Sequence, residues 1–562
     1  MNPPASPTAP LPPDDLDPDD PYARPAQTFP HLPPAMGARL MPYGTEETLP
    51  AGTTVFQRGQ RGLDFFYVLE GAIEIYELDE AQQPRVIGAL GERGFSGEIH
   101  LLNDREVLMN GRTTTATRVL RVARADFRRL LSAEPDIGEI ILRAFILRRV
   151  GFIRHAQGAV FVIGSGHAAD TLRLQRFLTR NGYPYRLLDT DLDATAIDFL
   201  NLGQVPAARM PVVFSPGKST LFNPSNAELA DHLGLTEAFD PGHIYDLTVL
   251  GAGPAGLAAA VYGASEGLDT LVLESMAPGG QAGTSSKIEN YLGFPTGISG
   301  AALAGRAQVQ AQKFGARLHI SRAVTGIDCD NHPYKLLLED GHSIATRSII
   351  VATGARYRKL DVPDYDRFEG QGIHYAATPM EQTLCGGEEV IVVGGGNSAG
   401  QAAVFLSRTV GHVHILIRAG GLAATMSDYL IQRIGNSPKI TVHTRTEITA
   451  LEGDNYLRRV TWTHRDSKAS ETRAIGNVFV MIGASPNTEF LAGCLELDRA
   501  GFIKTGVGAD GERLPSPYAT SLPGVFAVGD VRSGSVKRVA SGVGEGSVVV
   551  QAVHAFVHPP TA

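Results

Sequence analysis

The sequence predicts a multidomain protein of 562 residues in which an all-β unit and a small α/β unit precede two larger α/β units. Three observations carry this. From Gly52 to Val122 short apolar strands alternate with glycine turns, the spacing of an all-β unit. Between Gly158 and Gly234 strand and helix patterns alternate over short distances. Beyond His243 two glycine turns, Gly251-Ala252-Gly253-Pro254-Ala255-Gly256 and Gly394-Gly395-Gly396-Asn397-Ser398-Ala399, each follow an apolar strand and open an apolar helix.

Residues 1–34 are dominated by Pro and Asp, as in Asp14-Asp15-Leu16-Asp17-Pro18-Asp19-Asp20. Such a stretch buries too little apolar surface to offset its ordering entropy, so a disordered tail is expected. The all-β unit takes 35–150, with strands at Phe65–Leu69, Ala72–Tyr76 and Val86–Leu90. Helical patterns follow at Asp126–Leu131 and Ile137–Val150, apolar every three or four positions, as a lid or linker helix would be. The small unit, 157–238, reads strand Ala159–Ile163, helix Thr171–Asn181, strand Tyr185–Leu188, helix Thr195–Leu202, strand Val212–Phe214 and helix Asn226–Leu233. After a linker from Phe239 to His243, one α/β unit spans 243–356 and 486–562 and is interrupted by the other at 357–485.

A net charge of −9 supplies no general attraction to nucleic acid or to an anionic membrane, so small-molecule partners are expected. No apolar run reaches the ~18 residues of a membrane span and no export signal opens the chain, which predicts a cytoplasmic protein. The three cysteines, Cys329, Cys385 and Cys494, form no CxxC and no disulfide framework, and each reads as a small buried hydrophobe.

Chemistry enters at the first turn. Its glycines allow a tight turn and close approach of backbone to a pyrophosphate, which sits on the positive end of the following helix. The next strand, Thr270–Glu274, ends in a carboxylate about 20 residues downstream, placed to accept from an adenosine ribose. Strand, turn, helix, strand and acid together read as a dinucleotide site. At the second turn, strand Glu389–Val393 and helix Ala399–Leu406 repeat the pattern, but strand His412–Ile417 ends in Arg418. A cation there suits a 2′-phosphate; a solvated arginine is the alternative.

These residues resemble those of the low-molecular-weight thioredoxin reductases over about residues 243–562. Besides Gly251, Gly253, Pro254, Ala255, Gly256 and Glu274, the segment Gly279-Gly280-Gln281 with Asn290 resembles the one that wraps the flavin. Val351-Ala352-Thr353-Gly354 resembles the strand end closing the first FAD half. Gly529-Asp530 resembles the second FAD motif, where the aspartate holds the ribityl chain, and Arg538-Val539-Ala540 takes the place of an Arg-Gln-Ala. The resemblance implies FAD at these positions, NADPH or NADH at Gly394, Gly396, Asn397, Ser398, Ala399 and Arg418, and a homodimer.

The departures matter more. Where the family carries its redox-active Cys-x-x-Cys, this chain has Ala376-Ala377-Thr378-Pro379, so neither Ala376 nor Pro379 can form the thiolate that disulfide reduction needs. Cys385 reads as structural. On the nicotinamide side Ile417-Arg418-Ala419-Gly420-Gly421-Leu422-Ala423 keeps one arginine of the family's His-Arg-Arg-x-x-x-Arg.

The small unit resembles a thioredoxin or glutaredoxin fold, with Met210-Pro211-Val212-Val213 as its cis-proline strand and Ala168-Ala169-Asp170-Thr171 where a glutaredoxin has Cys-Pro-Tyr-Cys. It reads as an inert docking or dimerisation domain. The all-β unit resembles a cyclic-nucleotide-binding barrel. That likeness implies Gly97 and Glu98 at the ribose; Arg112 is the candidate partner of the cyclic phosphate, although it stands late for that role. The expected function is FAD-dependent oxidation of NAD(P)H, with electrons handed to a diffusible acceptor or redox protein and no side-chain catalyst. The alternatives are a non-catalytic flavin sensor and a disulfide reductase that uses an external dithiol.

Overall fold

The computed structural model describes residues 20–559 except 79–82, 104, 194–195, 197–208, 237–239, 241, 286–287, 289, 370, 376, 378, 455, 492 and 509. Most of the expected helix over 195–202, and Phe239 and Pro241 of the expected linker, fall outside the described residues.

Two antiparallel sheets form the first unit. One orders Thr45–Leu49, Thr117–Val122 and Phe65–Glu70; the other orders Thr54–Phe56, Asn110–Thr113, Ile73–Leu78 and Pro84–Leu90. Along Thr117–Val122 the side chains of Val119 and Leu120 are buried while Arg118 and Arg121 face solvent. Phe65, Phe95, Phe127 and Phe145 fill the space between strands and two helices, Arg124–Ala133 and α1 (Pro135–Arg154). Burying each ring contributes about 1.5–3 kcal/mol.

Residues 20–34 correct the expected tail. Leu32 lies in this same core, Tyr22 stacks on His155 at 4.8 Å, and the buried Asp20 pairs with Arg154 and His155. A few apolar and charged side chains seat this proline-rich stretch on α1.

The small unit is a four-stranded sheet ordered Leu221–Phe222, Val212–Phe214, Val160–Gly164, Tyr185–Asp189. Helices α2 (Ala169–Arg180) and Asn226–His232 flank it. The second starts at a capping box, with Ser225 accepting from the Glu228 amide and Glu228 from the Ser225 amide. The Met210–Pro211 bond is cis.

In the remainder, Ile244–Leu250 lies between Thr270–Glu274 and Ser343–Val351 in a parallel arrangement that continues to Arg317–Ile320 on one side and Val525–Ala527 on the other. The inserted unit pairs a five-stranded parallel sheet, ordered Ile373–His374, Val478–Val480, Glu389–Val393, His412–Leu416, Ile440–His443, with an antiparallel sheet of Thr446–Gly453, Leu457–His464 and Ser470–Arg473. Strands Ala355–Tyr357 and Ala484–Pro486 pair where the chain enters and leaves it. No described helix is long and apolar enough to cross a membrane.

Cys329 and Cys494 form a disulfide across 165 positions of sequence. This overturns their reading as buried hydrophobes: the fold brings the end of Val324–Asp328 against the segment after Glu489–Leu491, a proximity with no local sequence signal. Cys385 is buried and free, as expected.

His319, in strand Arg317–Ile320, is 1% exposed. Burial, with Arg317 and Arg322 nearby, pushes its pKa down to about 4. The unfolded chain therefore binds the extra proton first. The stability from this group is complete above a pH of about 6.5 and is lost as pH falls towards 4, with a ceiling of about 3 kcal/mol. Thermal denaturation at a series of pH values across this window is expected to show a shallower acid loss for His319→Gln than for the wild type. Parallel pH profiles would contradict this.

Candidate flavin and nicotinamide site

One cavity of about 1150 Å3 joins the first glycine turn, which opens α3 (Pro254–Ser265), to the second, which opens α4 (Asn397–Leu406). This exceeds the roughly 300–1,000 Å3 of ordinary small-ligand pockets, as a dinucleotide site with room for a second ligand should.

At the first turn the strand before it is buried on both faces and stops where the backbone must reverse. Gly251 has φ +101°, and a Cβ there would lie 2.5 Å from the Ala352 carbonyl oxygen; a Cβ on Gly256 would lie 1.9 Å from that of Gly251. Gly253 differs, because its nearest neighbour would be the Gly280 Cα at 3.9 Å, so its face opens on the cavity. Pro254 starts α3, where its missing N–H costs nothing. Glu274 accepts from the Ala252 amide at 2.8 Å and the Met276 amide at 2.9 Å, which ties the acid to the turn while it lines the cavity.

The other walls come from Gly280, Gln281, Asn290, Thr353, Gly354, Gly529, Asp530, Arg538, Val539 and Ala540, together with Pro254 and Ala255. The Gln281 side-chain amide donates to the Ala355 carbonyl. Asn487 clamps Thr353, its Nδ2 donating to the Thr353 carbonyl at 2.9 Å. Glu545, on α5 (Val539–Val557), accepts the Gly529 amide at 2.6 Å and pairs with Arg532 at 2.7 Å. Burial pushes the Asp530 carboxyl up, against the nearby Lys537. The residues fit a flavin dinucleotide: a turn open only at Gly253, a helix N-terminus beyond it, and the recessed Asp530 carboxyl in the same lining.

At the second turn Gly394 has φ +140°, and a Cβ there would meet the Met481 carbonyl oxygen at 2.3 Å. The Asn397 Oδ1 accepts from the Ser427 amide at 2.7 Å and the Thr425 hydroxyl donates to the Gly395 carbonyl at 2.7 Å, folding 419–427 over the turn. Asn397, Ser398, Gln401 and Ala402 reach the cavity. Gly394, Gly396 and Ala399 lie behind them, and Arg418 is exposed outside the cavity lining. Position Ala376 and the Pro379 side chain lie outside the described residues; their neighbours Tyr375 and Ala377 line the cavity, and no cysteine does among the described residues.

The first unit does not gather its expected ligand residues. Glu98 is 4% exposed and pairs with Arg149 of α1 at 2.5 Å and with His100 at 3.2 Å. Burial pushes its carboxyl up, but Arg149 and His100 outweigh this and hold it at about 2. A Cβ on Gly97 would lie 2.9 Å from the Phe145 ring, also of α1. Arg112 pairs instead with Glu74 at 2.8 Å and lies over Tyr76. The return of α1 onto this loop is the physical reason, and the strand pattern does not encode it.

Residues 245–546 match the family model described as pyridine nucleotide-disulphide oxidoreductase. The chain belongs to that family. Residues 46–134 match the cyclic nucleotide-binding domain model. The chain is 34% identical over 306 residues to a thioredoxin reductase of Escherichia coli O157:H7, covering 53% of this chain and 92% of that one. It is 32% identical over 317 residues to the thioredoxin reductase of Chlamydia pneumoniae, covering 55% and 98% respectively. The crystal structure of Lactococcus lactis thioredoxin reductase (FR conformation) superposes with a TM-score of 0.51 at 32% identity, over 56% of this chain and 99% of that one. This member is thus an FAD-dependent NAD(P)H oxidoreductase joined to a cyclic nucleotide-binding domain. Glu545, Asn487 and Arg180 carry no signal in the sequence, because each acts across the fold with no motif of its own.

Proposed function

We propose that this enzyme oxidises NAD(P)H at the cavity and delivers the electrons directly to a diffusible acceptor, such as oxygen, a quinone or a small carrier, rather than to a disulfide. The observation that carries the reading is a cavity shared by both nucleotide turns with no thiol among the described residues of its lining. Cys385 is a poor substitute, since burial, with Glu388 and Glu381, pushes its thiol up to about 12 and its Sγ donates to the Glu381 carbonyl at 3.0 Å. A bound flavin would supply the hydride and electron chemistry itself.

The protein's part is to bind and orient. The α3 N-terminus and Gly253 hold the diphosphate, Glu274 the adenosine ribose, and Asp530 the ribityl chain. Gly280, Gln281, Asn290, Thr353, Gly354 and Arg538 to Ala540 enclose the rest. Gly394, Gly396 and the start of α4 hold the nicotinamide nucleotide, with Arg418 beside a 2′-phosphate. The small unit serves as a cysteine-free thioredoxin-like docking domain: a Cβ on Gly164 would meet both Thr171 and Pro211, which puts a threonine hydroxyl, not a redox-active thiol, beside the cis-proline. The first unit, with Glu98 held by Arg149, acts as a structural or sensing module whose occupation by a cyclic nucleotide would require α1 to release that loop. A homodimer remains the proposed assembly. Steady-state NADPH and NADH oxidation is expected with oxygen or a quinone and absent with oxidised thioredoxin; turnover that depends on thioredoxin would overturn this reading.

A further inference from the structure

Helix α2 belongs to the small unit, yet its last residue enters the flavin cavity. Arg180 lines that cavity beside Gly253 and Gly280, on the side of the Glu274 turn. Its Nη2 donates to the Gly280 carbonyl at 3.0 Å and lies 3.5 Å from that of Ala277. Its Nη1 is turned to the Met276 Sδ at 2.8 Å, and its Nε is buried without a hydrogen bond. Nε is enclosed by protein, but thioether sulfur is a weak acceptor, so the Nη1 end of the fork keeps donor capacity to spare. The cavity's other arginines beside carboxylates are engaged: Arg322 by Asp231 and Asp340, Arg356 by Glu489. Arg180 has no carboxylate partner among the described residues.

The geometry points to Arg180 as a binding residue for the diphosphate of the flavin dinucleotide, supplied by the small unit to the neighbouring domain. This rests on the assignment of the cavity's first turn to FAD. A diphosphate carries two negative charges, and α3 offers it amides but begins with a proline. A cation anchored on the Gly280 carbonyl, with its Nη1 held only by a thioether, complements that charge from the wall it shares with Gly253, and guanidinium matches phosphate oxygens better than a point charge does. The cysteine-free unit thereby completes the cofactor site by docking against it.

The test is FAD affinity of apoprotein, measured by quenching of flavin fluorescence, for wild type, Arg180→Met, Arg180→Lys and Asn181→Ala. Asn181 donates to the Met276 carbonyl at 3.1 Å and braces the same loop without charge. Loss of a charge-assisted hydrogen bond predicts a Kd about ten-fold or more higher for Arg180→Met. Arg180→Lys should be intermediate and Asn181→Ala within about two-fold of wild type, because no charged contact is lost. The affinity of Arg180→Met should also depend less steeply on salt. Should the methionine variant not fold, the lysine variant and its salt slope carry the test. Wild-type affinity and salt slope in the Arg180 variants, or equal losses in Arg180→Met and Asn181→Ala, would overturn the proposal. A wild type that binds no FAD would instead remove the cavity assignment.

Discussion

Gly256→Ala is expected to abolish the folded flavoprotein, whereas Gly253→Ala should leave a folded protein that has lost its cofactor. The two glycines sit three residues apart in one turn and face opposite problems. A methyl on Gly256 would stand 1.9 Å from the Gly251 carbonyl oxygen, with the Ala352 side chain at 3.3 Å behind it. Neither the turn backbone nor the buried strand can withdraw, so a cost of at least about 4 kcal/mol is expected, among the largest for a single substitution. A methyl on Gly253 meets nothing closer than 3.9 Å and intrudes only where a diphosphate must approach the backbone. The apoprotein Tm should therefore stay near wild type while FAD affinity falls about ten-fold or more, as expected when a charge-assisted contact to the backbone is displaced. Calorimetry of both apoproteins with a flavin fluorescence titration checks this. A folded, yellow Gly256→Ala protein would show that the turn is not built as described.

Gly394→Ala separates the second turn from the first. With φ at +140° and the Met481 carbonyl oxygen 2.3 Å from an added Cβ, this residue cannot carry a side chain without moving the strand end that presents α4. The first turn lies in another sheet and keeps its cofactor. The variant should remain yellow, yet its reduction by NADPH should slow by about 100-fold or more, the effect of a site displaced by about 1 Å. Reduction at the wild-type rate would move the nicotinamide site elsewhere.

Strands Thr270–Glu274 and Glu389–Val393 are legible to the residue, because apolar runs this short, bounded by polar and glycine positions, are long enough for a strand and too short for a helix. Helix α2 is also legible in outline, starting two residues earlier than its apolar periodicity suggests. The contacts between units are not. Nothing local to Arg180 marks it as facing a flavin cavity, nor does Asp231 announce its pairing with Arg322 at 2.8 Å. Glu98 shows the same limit from the other side: its turn is recognisable, but its partner Arg149 arrives on a helix about fifty residues on and takes the place read for a ligand. Cys329 and Cys494 mislead for the same reason, since their pairing is made by the fold and not by their spacing.

The central claim is a working route from nicotinamide to flavin without a cysteine pair, and an anaerobic titration of the purified holoprotein with NADPH and then NADH tests it most directly. Stoichiometric loss of the flavin absorbance near neutral pH, persisting in Cys385→Ser, is the predicted result. A flavin bleached by dithionite but by neither nucleotide, or one whose reduction disappears with Cys385, would contradict it.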